Sequence, residues 1–334
     1  MTKPNPVPLF EALNAYQLTE AVKAALGLGL FTSIAASDGS AAQVAARCQA
    51  SQRGTRILCD YLATHGFLTK AAERYAIKPE LAPFVVKGSP AYMGDTVEFM
   101  LSADLVDGFR DLAGCVRKGG TTMSARGTME TQHPVWVKFA RVMGPVLSVT
   151  APKLAELADP TAAKPVRVLD IAAGHGLFGI AVAQRNRQAQ ITAQDWAPVL
   201  EVAREHAQKA GVAERYRLLP GDAFDVDLGT GNDVVLLTNF LHHFEATTCE
   251  RLLRRVAGSL APGGVVATLE FVPDEDRVSP PPTARFALTM LTTTAAGDAF
   301  TFKEYEAMFR NAGFSRNTLH NLPDSPQSVI LSTL

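Results

Sequence analysis

A glycine-rich segment that follows an apolar run constrains this 334-residue chain more than any other feature. Residues Val166–Ile171 are rich in β-branched side chains and are predicted to form a buried strand. Directly beyond them, Gly174–Gly179 have the spacing G-x-G-x-x-G. A strand, a glycine loop and a helix in this order place backbone N–H groups against a nucleotide-like ligand in Rossmann-type sheets. A nicotinamide dinucleotide is therefore one candidate ligand.

Asp170, near the end of the predicted strand, favours a different ligand. A carboxylate beside the loop would repel a pyrophosphate but would suit a cation. S-adenosylmethionine (SAM) carries a sulfonium and an amino group and has no phosphate. The sequence therefore predicts a SAM site that includes Asp170 and the loop residues Gly174 and Gly176.

Two further acidic residues fit an adenosine. Asp195 ends the next predicted strand, where a carboxylate would accept hydrogen bonds from ribose hydroxyls. Asp222 follows the strand after that and could accept from the adenine amino group, while Phe224 covers an apolar flank. Each acid taken singly is typical of a helix cap. The three acids in this order favour an adenosine site.

Composition sets limits on partners and location. Hydrophobic residues make up 47% of the chain and charged residues 19%, and the formal net charge is -1. This balance is typical of a globular protein and gives no electrostatic footprint for nucleic acid or an anionic membrane. No apolar run reaches the roughly 18–20 residues of a spanning helix, and Met1–Pro6 lack the apolar core of a secretion signal. We expect a cytoplasmic protein without a nucleic-acid or membrane partner.

The cysteines also indicate a cytoplasmic protein. Their positions are scattered and include no C-x-x-C spacing: Cys48, Cys59, Cys115 and Cys249. Such spacing predicts reduced, mostly buried thiols and no metal site.

The N-terminal third is predicted to be a small helical unit with a hairpin. Its predicted elements are helices over Phe10–Leu30, Ala41–Cys48 and Gly54–His65 and strands over Gly66–Thr69 and Arg74–Ile77. Ser40 and Ser51 are candidate helix caps. The order resembles a winged helix, which raises DNA binding as an alternative. The candidate recognition helix is sparse in basic residues, so dimerisation is the favoured role.

Beyond a mostly helical segment, Tyr92–Leu157, strands alternate with helical patterns. The predicted strands are Val166–Ile171, Gln190–Asp195, Tyr216–Leu219, Asp233–Asn239, Val265–Phe271, Ser315–Asn321 and Ser328–Leu334. The alternation predicts a parallel sheet with helices on both faces. Leu322–Gln327 is too short for a crossover, so the last two strands should form an antiparallel hairpin. Seven strands with such a hairpin are typical of SAM-dependent methyltransferases rather than nicotinamide dehydrogenases.

An ordered set of segments resembles a known family over nearly the whole chain. The segments are Ala24–Phe31, Leu169–Gly176, Gly221–Phe224, Leu241-His242, Leu260–Gly264, Glu270 and Asn311–Phe314. They resemble the small-molecule O-methyltransferases of the plant caffeic acid type and their bacterial natural-product relatives. The resemblance implies an α/β fold of the class I methyltransferase type, with a Rossmann-like seven-stranded sheet and an N-terminal winged-helix-like dimerisation domain. It also implies a homodimer. We predict domains at 1–95 (dimerisation), 96–160 (a helical connector that contributes to the acceptor pocket) and 161–334 (SAM binding).

The resemblance assigns catalytic roles to two residues. His242 matches the family histidine that takes the proton from the acceptor hydroxyl, and Glu270 matches a carboxylate that orients it. The chemistry agrees, because a phenol attacks a methyl sulfonium far faster as phenolate and imidazole is a suitable base near neutral pH. A carboxylate partner would hold the imidazole tautomer and stabilise the imidazolium.

Other positions complete the predicted site. For SAM the predicted contacts are Asp170, Ala172, Gly174, Gly176, Asp195, Trp196, Asp222, Ala223, Phe224 and Asn239. The resemblance implies that the acceptor-binding positions are Phe139, Met143, Met290 and Thr294.

The chain also departs from the family pattern. Ala172 replaces the first loop glycine, and His243 replaces an aspartate. Ala299 stands where a second carboxylate is usual, so that carboxylate is missing unless Asp298 substitutes for it. The plant members have a lysine at the position of Thr238 and an asparagine at the position of Thr294. Plant phenylpropanoid acceptors are therefore not supported.

The sequence thus predicts methyl transfer from SAM to a hydroxyl of a small molecule, with an aromatic acceptor favoured. Alternatives remain at this point. They are methyl transfer to nitrogen, carbon or sulfur, a relative that keeps SAM but catalyses other chemistry, and a winged-helix regulator that senses SAM.

Overall fold

The computed structural model describes residues 3–323 and 325–334. Met1 and Thr2, in the segment considered for a secretion signal, lie outside the described residues, as does Asp324 in the predicted hairpin loop. The contacts divide the chain into two compact units, of which the first ends at Val97 and the second begins at Glu98. The predicted connector, 96–160, therefore lies almost wholly in the second unit.

The first unit has helices followed by a hairpin. Its elements are α1 (Val7–Gly27), α2 (Leu30–Ala35), α3 (Ala41–Arg47), α4 (Gln52–Thr64), β1 (Leu68–Ala71), β2 (Arg74–Ile77) and α5 (Ala82–Val85). The Ser40 and Ser51 side chains accept hydrogen bonds from the third residue beyond each, which confirms both predicted caps. The helix predicted over Phe10–Leu30 ends at Gly27, and Leu30 begins α2 after Gly29, which adopts a left-handed φ of 64°.

Helices also precede the large sheet of the second unit. They are α6 (Val97–Met100), α7 (Ala103–Arg110), α8 (Leu112–Lys118), α9 (Val135–Val142), α10 (Gly144–Leu147) and α11 (Ala151–Ala158). The alternating part consists of β3 (Arg167–Ile171), α12 (Leu177–Arg185), β4 (Gln190–Asp195), α13 (Ala197–Lys209), β5 (Tyr216–Pro220), β6 (Asn232–Thr238), α14 (Ala246–Ser259), β7 (Leu260–Glu270), α15 (Pro281–Ala284), α16 (Phe286–Thr293), α17 (Phe302–Asn311), β8 (Arg316–Asn321) and β9 (Ser328–Thr333).

Within the described part of the second unit, seven strands form one sheet in the order β5-β4-β3-β6-β7-β9-β8. The first five are parallel, whereas β9 is antiparallel to both of its neighbours. The predicted fold and its terminal hairpin are confirmed. β7 begins at Leu260 rather than at the predicted Val265, because its pairing with β6 continues through a register shift.

Both faces of the sheet are buried, which explains the continuous apolar runs in its strands. Val168 and Leu236 belong to the core on one face, and their neighbours Leu169 and Leu237 belong to the core on the other. Since β4, β3, β6 and β7 are parallel neighbours, their carboxyl ends meet at one edge, where ligands bind in sheets of this type. Among the described residues, no helix is both long enough and apolar enough to cross a membrane.

Candidate active site

A cavity of about 540 Å³ opens at the carboxyl edge of the large sheet. Its lining comes from the ends of the parallel strands and the segments after them, from the segment before α9, from α9 and α14, and from the turn after α16. The lining residues are Arg126, Met129, Glu130, Trp136, Ala172, Gln194, Asp195, Trp196, Gly221, Asp222, Ala223, Phe224, Asp225, Phe240, His243, Phe244, Glu245, Thr248, Arg251, Ala295 and Ala296. Six residues predicted to bind SAM are in this set: Ala172, Asp195, Trp196, Asp222, Ala223 and Phe224.

Asp195 ties the loop after β3 to the end of β4. One carboxylate oxygen accepts the Gly174 N–H at 2.9 Å, and the other accepts the Trp196 N–H at 2.7 Å. Burial raises the pKa of Asp195 to about 6, against the opposing effect of these two donors. Each oxygen keeps a lone pair, so the carboxylate can still accept from a ligand hydroxyl.

The residues after β5 add an aromatic side chain to the lining. The Phe224 N–H donates to the Asp222 carboxylate at 2.8 Å, which fixes both residues at the cavity. The Phe224 ring packs edge-to-face on Phe244 with centroids 5.1 Å apart, and the Arg251 guanidinium lies 5.0 Å from its centroid. A carboxylate beside an aromatic wall suits a flat base that carries an amino group.

The glycine loop has the backbone that its sequence predicts. Gly174 and Gly176 have φ values of 57° and 75°, and Ala172 also adopts a left-handed φ of 52°. The Ala172 N–H donates to the Gln194 side chain at 3.3 Å, and that side chain donates to the Gly221 carbonyl at 2.6 Å. Sequence reasoning missed Gln194, although a polar residue directly before Asp195 at a strand end was an available signal.

Asp170 lies beneath the loop and is not among the residues that line the cavity. It is fully buried, and one carboxylate oxygen accepts the Gly179 N–H at 3.1 Å while the other has no partner. Burial raises the pKa of Asp170 to about 7, and the nearby negative charge of Asp195 adds to the effect. The carboxylate of Asp170 was predicted to lie beside the ligand. In the structure it instead accepts a hydrogen bond from the start of α12.

His242 and Glu270 form a buried pair between the ends of β6 and β7. The histidine Nδ1 is hydrogen-bonded to one carboxylate oxygen, and the side chains are 3% and 0% exposed. The other oxygen accepts the Phe240 and Leu241 N–H groups at 3.0 and 2.9 Å. Glu270 is therefore fixed by three donors, and His242 is left with Nε2 as its free nitrogen.

His243, and not His242, lines the cavity. Its ring lies 4.3 Å from the His242 ring and packs edge-to-face on Trp136 at 5.1 Å. Its Nδ1 is buried without a hydrogen-bond partner. Burial and the neighbouring His242 hold the pKa of His243 well below the usual histidine value, so the ring is neutral near pH 7.

The four predicted acceptor-binding residues lie close by but not among the lining residues of this cavity. Phe139 stacks on His175 with centroids 6.0 Å apart, and Met143 and Met290 are buried. The Thr294 hydroxyl is used internally, since it donates to the Met290 carbonyl at 2.7 Å and accepts the Gly297 N–H at 2.8 Å.

The structure also places the predicted SAM residue Asn239 and the segment of the missing carboxylate. Asn239 has a left-handed φ of 55°, and its side-chain oxygen accepts from the Gln327 amide. Ala299 is buried, and the Asp298 carboxylate pairs with Arg277 at 3.3 Å. Among the described residues, no group of three or more His, Cys, Asp or Glu side chains is placed to hold a metal ion.

Comparison with family models gives two matches along the chain. Residues 10–80 match the O-methyltransferase dimerisation domain, and residues 103–315 match the O-methyltransferase domain. The two matches follow the order of the two compact units.

Known proteins resemble the whole chain. A crystal structure from Nostoc punctiforme, provisionally assigned as an O-methyltransferase, is 50% identical over 99% of both chains, with a TM-score of 0.96. Human N-acetylserotonin methyltransferase in complex with SAM has a TM-score of 0.85 over 99% of this chain and 98% of its own, and at 23% identity the likeness bears on the fold. A 3-hydroxy-5-methyl-1-naphthoate 3-O-methyltransferase of Streptomyces sahachiroi is 28% identical over 89% of this chain and 86% of its own.

Proposed function

The chain belongs to the O-methyltransferase family, whose members use SAM, and we propose that it methylates a hydroxyl of a small aromatic molecule with His242 as the general base. The observation that carries this proposal is the buried His242–Glu270 pair. It stands at the sheet edge that also forms the cavity, and one imidazole nitrogen remains free.

Several residues of the cavity lining fit SAM. We assign Asp195 to the ribose hydroxyls, Asp222 to the adenine amino group and Phe224 and Trp196 to the flanks of the adenosine, with Ala223 beside them. The left-handed loop from Ala172 to Gly176 would receive the amino acid part, with Asp170 supporting it from beneath and Asn239 from the side. When bound, SAM supplies an electrophilic methyl group on its sulfonium.

The histidine pair supplies the base. Glu270 holds the Nδ1–H of His242, so the lone pair of Nε2 is available for the proton of an acceptor hydroxyl. The same carboxylate stabilises the imidazolium that results. Because both side chains are buried, their orientation is set before the acceptor arrives, and alignment contributes to the rate as well.

An aromatic acceptor is supported by three further residues of the cavity lining. Trp136 is fixed there by the hydrogen bond of its Nε1–H to the Thr128 carbonyl at 2.8 Å, and it lines the cavity together with Met129 and His243. Flat aromatic molecules pack well against such side chains. The relative from Streptomyces sahachiroi, named for a hydroxynaphthoate, gives the same indication. Phe139, Met143, Met290 and Thr294 would help to shape the acceptor site.

We also propose that the protein is a homodimer located in the cytoplasm. The match of residues 10–80 to a dimerisation domain supports the dimer. All four cysteines lie in the described part of the chain and are free thiols, which suits a reducing compartment.

The proposed reaction is tested by incubating the full chain with SAM labelled in its methyl group and a panel of phenols, naphthols, amines and thiols. The expected result is label in an O-methyl product of a phenol or naphthol, identified by mass spectrometry. Label only in amines or thiols, or hydrolysis of SAM without a methylated product, would overturn the assignment.

A further inference from the structure

Arg255 of α14 is hydrogen-bonded to the loop that follows β5. Its Nη1 donates to the Ala223 carbonyl at 3.1 Å, and its Nη2 donates to the Val226 carbonyl at 2.5 Å. The same loop carries Asp222 and Phe224, which line the cavity, whereas Arg255 is half-buried and is not among the lining residues. Arg255 therefore acts on the site through the backbone of this loop.

The loop is a tight turn whose carbonyls need such a donor. The Asp222 carbonyl accepts the Asp225 and Val226 N–H groups at 3.0 and 2.9 Å, and the Asp222 carboxylate accepts the Phe224 N–H at 2.8 Å. The later carbonyls of a single helical turn have no partner within it. Arg255 supplies donors in a fixed fork, and its positive charge strengthens each hydrogen bond.

Other contacts hold the loop at its start and in its middle. The Gln194 side chain of β4 donates to the Gly221 carbonyl at 2.6 Å. The Arg251 guanidinium lies 5.0 Å from the centroid of the Phe224 ring. Because Arg251 and Arg255 are one turn apart, α14 presents both guanidinium groups to the loop from the same face. The loop is thus held by β4 at one end and by α14 at the other.

We propose that Arg255 is a positioning residue that sets the selectivity of the site for adenine. By fixing the loop backbone, it holds the Asp222 carboxylate where the exocyclic amino group of SAM donates to it. A hydrogen bond weakens steeply when it is misaligned, so a looser loop would lose this contact first. The inference rests on the proposed function, which assigns Asp222 to that amino group, and adds a residue outside the cavity that controls recognition of SAM.

The test needs no methyl acceptor. Calorimetry with the full chain measures the dissociation constants of S-adenosylhomocysteine (SAH) and of its purine analogue, in which hydrogen replaces the exocyclic amino group of adenine. The wild type should bind SAH roughly tenfold more tightly than the analogue, which corresponds to one hydrogen bond to a charged group.

Arg255→Met keeps an unbranched aliphatic side chain but removes both donors. We expect SAH to bind about tenfold more weakly while the analogue loses little, so that the preference for SAH nearly disappears. Arg255→Lys has an ammonium in place of the fork and should recover part of the preference. Arg254→Met, at the next residue of α14, removes the contacts with the Glu250 carboxylate and the Asn311 carbonyl. It is the matched control and should keep the preference of the wild type.

Equal losses for SAH and the analogue in Arg255→Met, or no loss for either, would overturn the inference, because Arg255 would then serve the fold alone or be idle at the site. If Arg255→Met does not fold, an unchanged preference in Arg255→Lys would overturn it. If the wild type itself binds SAH and the analogue equally, the assignment of Asp222 in the proposed function fails first, and the inference falls with it.

Discussion

Glu270 and Asp170 are both buried at the same sheet edge, but they differ in their hydrogen-bond partners. Glu270 accepts from two backbone N–H groups and from His242, which leaves neither oxygen unsatisfied. Asp170 has one donor, the Gly179 N–H, and its second oxygen has none. An unsatisfied buried carboxylate favours its protonated form. Glu270 is thus a fully bonded acceptor of hydrogen bonds, whereas burial of Asp170 opposes its ionisation.

The raised pKa of Asp170 makes a prediction about stability. Its pKa rises from 3.8 to about 7 on folding, so the folded state binds this proton more tightly than the unfolded state. The stabilisation is complete below about pH 4 and is lost as pH rises to about 7. Asp170→Asn has no such proton to lose, so it should exceed the wild type at pH 8 by up to about 4 kcal/mol in unfolding free energy.

Thermal unfolding without SAM at pH 5 and pH 8 measures this difference. The advantage of Asp170→Asn should be clearly larger at pH 8. An equal shift in Tm at both values would mean that ionisation of Asp170 is not the cause, and that the substitution acts through packing alone.

The role of a single site residue can be predicted from the sequence when its partners are close in the chain. Asp195 and Asp222 follow strands at intervals that the alternating pattern makes visible, and both line the cavity. His242 and Glu270 needed the resemblance, because their contact joins residues 28 positions apart. The surroundings of His243 could not be predicted, since Trp136 reaches it from α9, far away in the chain.

At the scale of elements, the loop between β3 and α12 is the most constrained part of the site. Gly176 has a φ of 75°, and a Cβ there would lie 2.5 Å from the Tyr216 hydroxyl and 3.0 Å from the Ala203 side chain. The hydroxyl of Tyr216 also donates to the Gly176 carbonyl at 3.4 Å. A side chain at this position would therefore displace the loop from the cavity.

Gly176→Ala should lower the unfolding free energy by roughly 1–3 kcal/mol and weaken SAM binding, because it adds a steric clash to an unfavourable φ. Gly211→Ala is the matched control, since Gly211 has a similar φ of 70° and open space around it. Denaturant unfolding and calorimetry with SAM separate the two effects. Equal losses of stability in both variants, with SAM affinity intact in both, would refute the steric argument.

The elements themselves follow from sequence pattern to within a few residues. Buried parallel strands give continuous apolar runs, so the starts and ends of β3, β4 and β5 differ from their predicted positions by at most one residue. Two exceptions have local causes. The first predicted helix ends early, before the left-handed Gly29, and the register shift beside β6 extends β7 at its start. Neither a left-handed glycine nor a shifted register alters the apolar period that a sequence displays.

At the scale of the whole molecule, helix α1 carries an apolar surface that the described residues leave exposed. Its exposed apolar side chains are Val7, Leu9, Phe10, Leu13 and Tyr16, each more than half exposed. Such a patch is typical of an interface. Since residues 10–80 match a dimerisation domain, a second copy of the chain is the expected partner.

The double substitution Phe10→Glu and Leu13→Glu should therefore shift the protein from dimer to monomer, because it places charges in an apolar interface. Light scattering should give twice the 35.7 kDa chain mass for the wild type and the mass of a single chain for the variant. Val278→Glu, at an equally exposed valine in the second unit, should remain dimeric. A monomeric wild type would contradict the proposed assembly.

The proposed chemistry is tested most directly by the rate of methyl transfer in the wild type and in His242→Ala, across phenols of decreasing pKa. The loss in kcat/KM should be roughly 10²–10⁴-fold for a weakly acidic phenol, and it should shrink as the acceptor ionises unaided. Adding Glu270→Gln to His242→Ala should cost little more, because residues that act as a unit are not additive. SAM affinity should stay nearly the same throughout. A loss that does not depend on acceptor acidity, or full activity in His242→Ala, would contradict a histidine base.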